Sequence, residues 1–235
     1  MSERQPIFNV PGIVVAMLGI FFALHLVRYL LPEEQSVWLS LALAFIPARL
    51  SGAAAELPGG EIATFTQFVT HLFVHGDLTH LFINSAWLLA FASPVVRRIG
   101  SWRFLIFFAL CGLAGALFYV ALSRNPLGIM VGASGAISGL MGAAFRFMFQ
   151  ALSEGDAEGL AGRARQPPLM SLGATLTDRR VLLAVAGWTI LNFVFAWGAS
   201  GMLADATIAW EAHLGGFYMG LLSFGLFDRS LPHSS

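Results

Sequence analysis

A hydroxyl becomes a nucleophile when a base stands beside it, and Ser134 is the serine best placed for that. It sits in Gly132-Ala133-Ser134-Gly135, where a loop gives way to an apolar segment. Gly135, Gly139 and Gly142 follow it at helical spacing, giving a small-residue face that presses closely on a neighbouring helix. A second stretch, Trp210 to Gly220, carries His213 with Gly216 and Gly220 three and seven residues later on the same face. Docking the two glycine faces would bring the His213 imidazole beside Ser134, the arrangement of a general base and a nucleophile. A third stretch holds His71, His75, His80 and Asn84. His80 and Asn84 are spaced i,i+4, so they share a helix face, with Asn84 about 6 Å deeper. An imidazole N–H and a carboxamide pointing the same way can cradle a developing oxyanion; interhelical hydrogen bonding is the other reading of Asn84.

These residues need elements to hold them, and the composition says where those elements lie. The chain has 235 residues, of which 57% are hydrophobic and 11% charged. Its mean hydropathy is +0.75. Soluble domains carry roughly 25% charged residues, so an all-α integral membrane protein is expected. A membrane span needs about 20 apolar residues. Six runs approach that length: about 10–31, 78–96, 103–122, 134–149, 181–197 and 209–227. They make one domain over 10–228, with short tails at 1–9 and 229–235. No cleavable leader is read, because the first apolar run is too long and lacks a small-residue cleavage site close behind it.

Asp77 is placed to cap the second span, which is expected to end at Arg97 and Arg98. The connection from Pro32 to Gly76 is of mixed polarity and reads as amphipathic or interfacial helices. Ser153 to Arg180, with Pro167, Pro168 and several charges, reads as a solvent loop. The basic residues are all arginine. With the N-terminus inside, ten of them fall on the inner side and three, Arg28, Arg49 and Arg124, on the outer side. The positive-inside rule then puts both termini in the cytoplasm and Ser134 at the outer end of its span. Net charge is zero and the arginines form no single stripe, so no nucleic-acid partner is expected. The single Cys111 excludes a disulfide framework and a cysteine zinc site.

Glu211 is turned about opposite to His213 and is a poor third member of a triad; it is expected to hydrogen-bond locally or reach the outer interface. His25, in the first span, reads as structural. Ser138 lies one turn deeper than Ser134 and is the weaker nucleophile. The residues alone give a Ser134–His213 dyad.

Three motifs in this order resemble the rhomboid family of intramembrane serine proteases: His71, His75, His80 and Asn84 heading the second span, Gly132 to Gly135 heading the fourth, and Ala212-His213 with Gly216 and Gly220 in the sixth. The resemblance covers about residues 11–228 and is closest to the basic six-span bacterial form. It implies a six-helix bundle in the bacterial inner membrane, with Ser134 as nucleophile and His213 as base. Asn84, His80 and the Ser134 backbone N–H would bind the oxyanion, with His75 supporting them by hydrogen bonding. Substrates would be transmembrane segments of other proteins in the lipid bilayer, cleaved near its outer boundary; no cofactor and no metal are implied, and the oligomeric state is left open. The segment Ala199 to Ile208 would be a mobile cap. Two departures stand out. Many relatives carry a tyrosine, stacked on the base, where this chain has Ser138; either Ser138 hydrogen-bonds instead or another aromatic such as Phe65 or Trp210 takes the place. The Trp-Arg pair often found in the family's first loop is missing, and Arg49 would anchor that loop differently.

A catalytically inactive rhomboid-like protein that binds or triages transmembrane clients would keep the glycine faces, though such proteins usually lose Ser134 or His213. A metal-dependent hydrolase built on His71, His75 and His80 lacks a His-Glu-x-x-His motif. A transporter would show paired intramembrane charges or repeated halves, and neither is found in the sequence.

Overall fold

A computed structural model describes residues 10–155, 166–202 and 209–228, and all regular structure among them is helical. The expected tails lie outside the described residues. Helix α1 (Gly12–Leu30) follows Pro11, whose φ of −57° suits the entry to a helix. Only Val14, Met17 and Phe21 on α1 are buried, one narrow stripe at three- and four-residue spacing. Val15 and Leu26 on its other faces are more than half exposed. A helix this apolar and this open is stable in lipid rather than in water.

The long first connection is helical and wound around one buried cation. Helix α2 (Glu33–Leu43) starts with two glutamates, which favour the positive end of its dipole. Helix α3 (Gly60–Thr70) follows 3-10 turns at Pro47–Ser51 and Ala54–Glu56. Arg49 is 2% exposed. Its guanidinium donates to the carbonyls of Leu41, Ala44 and Pro58 and to Gln67 Oε1. Arg49 therefore anchors this loop, in keeping with the expectation for it. An isolated antiparallel bridge between Phe45 and Met130, with the Ala48 N–H on Pro126 O, stitches the connection to the loop that leads into Ser134.

Helix α4 (Leu78–Ile99) begins where the Asp77 carboxylate accepts the His80 N–H at 2.8 Å, the cap read from the sequence. It is followed by α5 (Ser101–Leu122), α6 (Ser134–Glu154), the single turn α7 (Leu172–Thr175), α8 (Arg179–Met202) and α9 (Trp210–Ser223), which ends in a 3-10 turn at Phe224–Leu226. Among the described residues three helices, α1, α4 and α5, are long and apolar enough to cross a membrane by themselves. Helix α6 differs from them for a physical reason. It is the centre of the bundle, packed on α4, α5, α8 and α9, and no residue from Ser134 to Ala151 is exposed. A helix sheathed in protein does not have to match lipid, so it can carry Ser134, Ser138 and Arg146. Helix α9 has only 14 α-helical residues and is likewise buried along most of its length.

Two boundaries depart from the sequence reading. Helix α4 does not stop at Arg97 and Arg98 but runs to Ile99, and the Arg98 side chain turns inward to pair with Asp228 at 2.7 Å. Residues 166–170 are not a free solvent loop. Arg98 Nη1 donates to Pro167 O, Arg146 Nη2 donates to Met170 O, and Leu169 is buried in the core. The guanidinium groups need more acceptors than Asp228 supplies, and this backbone provides them.

Candidate active site

The site is assembled by glycine. Helix α9 lies in the groove between α5 and α6, and a Cβ on Gly216 would overlap Gly135 O, while one on Gly220 would overlap Gly139 O. On the other flank a Cβ on Gly115 would come within 2.7 Å of Ala212 O, and one on Gly215 within 2.7 Å of Ala114 O. Backbones approach this closely only without side chains between them. The two glycine faces seen in the sequence are thus docked on each other. The matching glycines of α5 were not singled out there.

With α9 held in that groove, His213 Nε2 lies 2.8 Å from Ser134 Oγ. The opposite ring nitrogen, Nδ1, is 2.9 Å from Asn192 Oδ1 on α8. Asn192 is 1% exposed, and its Nδ2 donates to Trp188 O at 2.8 Å. Trp188, one turn earlier, sets its ring beside the imidazole, with centroids 6.3 Å apart and planes inclined by 35°. Neither Asn192 nor Trp188 was among the sequence candidates. Ser138 does not stack on the base: its hydroxyl donates to Ser134 O at 2.7 Å. Phe65 is 78% exposed and Trp210 packs on Phe193, so neither of the aromatics considered for that place fills it. Glu211 is buried, at 8% exposure, so of the two expectations for it the outer interface is not met.

His80 and Asn84 converge from the α4 side on Gly132, two residues before Ser134. Gly132 has φ +111°, a left-handed conformation that glycine adopts without strain. Its N–H donates to His71 O at 2.9 Å, which pins the loop that delivers Ser134. A Cβ on Gly132 would stand 2.6 Å from His80 Nε2 and 3.9 Å from Asn84 Nδ2. The missing side chain therefore opens the space on which both polar groups converge. The Gly76 N–H meets His80 Nδ1 at 3.4 Å, a contact that leaves Nε2 as the proton-bearing nitrogen facing Gly132. Asn84 Nδ2 spends one of its two hydrogens on His80 O.

His75 meets His80 through its ring, at 5.3 Å and 73°, rather than through the hydrogen bond expected of it, and its other side packs on Phe21. Burial pushes His75 down to about 3 and His71 to about 4, so both are neutral. The Arg28 guanidinium of α1 donates to His75 O, fastening this segment to the first helix. Among the described residues no three His, Cys, Asp or Glu side chains gather as a metal site. Helix α8 extends into the expected cap as far as Met202, and residues 203–208 lie outside the described residues.

A buried helix bundle with a serine and a histidine joined across two glycine faces defines a helical membrane protein of rhomboid type. The family model for the Rhomboid domain matches residues 63–229, well over half of the chain, and the chain belongs to the rhomboid family. A Bacillus subtilis (strain 168) protein named "Putative rhomboid protease YdcA" is 32% identical over 126 residues, a match that covers 49% of this chain and 59% of that relative. The chain therefore spans less than two thirds of the relative's length. Membership makes this an integral membrane protein of a family of intramembrane serine proteases.

Proposed function

We propose that the protein is a serine endopeptidase that cleaves transmembrane segments of other proteins near the outer membrane boundary. The observation that carries this reading is the 2.8 Å approach of His213 Nε2 to Ser134 Oγ. Nε2 takes the hydroxyl proton as Oγ attacks the scissile carbonyl carbon, and the carbonyl oxygen becomes an oxyanion. The Ser134 N–H, His80 Nε2–H and the free Asn84 hydrogen are the donors for that charge. Collapse breaks the C–N bond, the imidazolium returns its proton to the leaving amine, and an ester forms on Ser134. Water, deprotonated by His213, then releases the new carboxylate and restores the serine. The substrate has to present an extended backbone, because a helix keeps its carbonyls in its own hydrogen bonds.

In this reading α1, α4, α5, α6, α8 and α9 are six crossings of a bacterial inner membrane, with both termini cytoplasmic. The ten arginines on that side against three on the other support this orientation. Helices α6 and α9 cross as the protein-lined centre.

Reconstitution with a single-span substrate tests the mechanism. Ser134→Ala and His213→Ala should each abolish cleavage while leaving the protein folded. Full cleavage by either variant would end the proposal.

A further inference from the structure

We infer that Asn192 is a positioning residue for the base: its side-chain amide holds His213 in the tautomer and ring orientation that leave Nε2 free to take the Ser134 proton. This rests on the Ser134–His213 reading above. The argument follows the hydrogen atoms. Trp188 O is a carbonyl and only accepts, so the group facing it at 2.8 Å is the Asn192 NH₂. The amide oxygen is thereby turned toward His213 Nδ1, 2.9 Å away. An amide oxygen also only accepts, so Nδ1 carries the ring proton. A neutral imidazole protonated at Nδ1 has its lone pair on Nε2, the atom 2.8 Å from Ser134 Oγ. Each assignment forces the next, from a helix carbonyl on α8 to the nucleophile on α6.

Burial gives the amide this role without competition. Asn192 is 1% exposed, so water does not replace it at Nδ1. An amide suits the place better than a carboxylate, whose charge would be costly among apolar helices. Holding α8 against α9 does not depend on Asn192 alone, since Thr189 Oγ1 and Tyr218 OH form a second bond between them at 2.8 Å. When the proton arrives on Nε2, the same oxygen still accepts from Nδ1–H, and the ring keeps its aim through both proton transfers.

The test uses the full chain in detergent or bilayer. Asn192→Leu keeps the shape and removes the acceptor; Asn192→Asp keeps an acceptor and adds a titratable one. Asn192→Leu should lower kcat by about 10- to 1000-fold with KM little changed, the order expected when a general base loses its alignment. Asn192→Asp should keep most of the activity, since a carboxyl oxygen can still accept from Nδ1–H. Wild-type kcat in Asn192→Leu, or equal losses in both variants that follow their loss of folded protein, would overturn the inference. A measurement that needs no Asn192 variant is the ¹⁵N spectrum of labelled histidine, with His213 assigned by difference from His213→Gln. The proton should be on Nδ1, and a proton on Nε2 would overturn the assignment. Fluorophosphonate labelling separates the two levels. Absence of an adduct on wild-type Ser134 would sink the protease reading itself. An adduct that forms equally fast in wild type and Asn192→Leu would sink only the role of Asn192.

Discussion

Helix α9 meets α6 through backbone and meets α8 through side chains, and His213 stands where the two contacts converge. On the α6 side, Gly216 and Gly220 lie so close to Gly135 O and Gly139 O that no Cβ fits. On the α8 side, the described polar links are Asn192 to His213 and Thr189 to Tyr218, and Gly187 of α8 has open space around it. The close contact sets the distance between His213 and Ser134, because two backbones in van der Waals contact cannot drift. The polar contact sets the orientation of the ring, because a hydrogen bond is directional where packing is not. Distance and aim are supplied by different neighbours.

The sharpest way to break this contrast is to put a methyl group into the close α6–α9 contact and, as a control, the same group on the exposed Gly187 of α8, outside its contact with α9. Gly220→Ala should abolish cleavage and destabilise the fold by about 1–3 kcal/mol or more, the usual cost of overpacking a full interface. Gly187→Ala should leave cleavage intact and be neutral or stabilising by up to about 1 kcal/mol, the helix-propensity gain of alanine over glycine. Thermal unfolding and cleavage rates measured together check both. Similar effects of the two substitutions would erase the distinction.

Acid probes a third region, the segment ahead of α4. His71 and His75, in the segment ahead of α4, are held neutral with values of about 4 and 3 by burial. Their folded values lie below the unfolded value of about 6.5. The unfolded chain therefore binds more protons below that pH, and the stability present above it is lost as pH falls. The loss approaches about 1.4 kcal/mol per pH unit for each histidine. Melting temperature should be flat from pH 8 to 7 and fall steadily from pH 6 to 4. A flat profile to pH 4 would show that these two rings are not buried in solution.

The smallest effect is expected at the second α8 contact. Thr189→Val removes the bond to Tyr218 and should cost about 0.6 kcal/mol, the typical worth of such a bond in membrane proteins. Cleavage should change by less than a factor of about three. A loss as large as that of Asn192→Leu would mean that α8 acts by docking and not by aiming the ring.

The same contrast explains what was legible in the sequence. The α6–α9 contact was readable because small residues at helical spacing leave a periodic mark, at Gly135, Gly139 and Gly142 on one side and Gly216 and Gly220 on the other. Asn192 left no such mark. It is a lone amide in the apolar run Val181 to Val194, and its meaning depends on which helix faces it across space. The vacancy at Ser138 was visible, but its filling was not: Trp188 comes from another helix, 50 positions along the chain, with no spacing rule to connect them. The fold of 166–170 was missed because its polarity resembles that of a free loop. Its carbonyls are consumed by Arg98 and Arg146, and hydropathy carries no record of that. The central helix α6 is legible as a helix from its apolar run, yet its freedom to hold Arg146 and two serines comes from being wrapped by other helices.

The most direct measurement is the site and rate of fluorophosphonate labelling in wild type and His213→Ala, located by peptide mass spectrometry. The account predicts one adduct, on Ser134, formed in wild type and absent when His213 is replaced. An adduct on another residue, or labelling of Ser134 at an unchanged rate without His213, would contradict it.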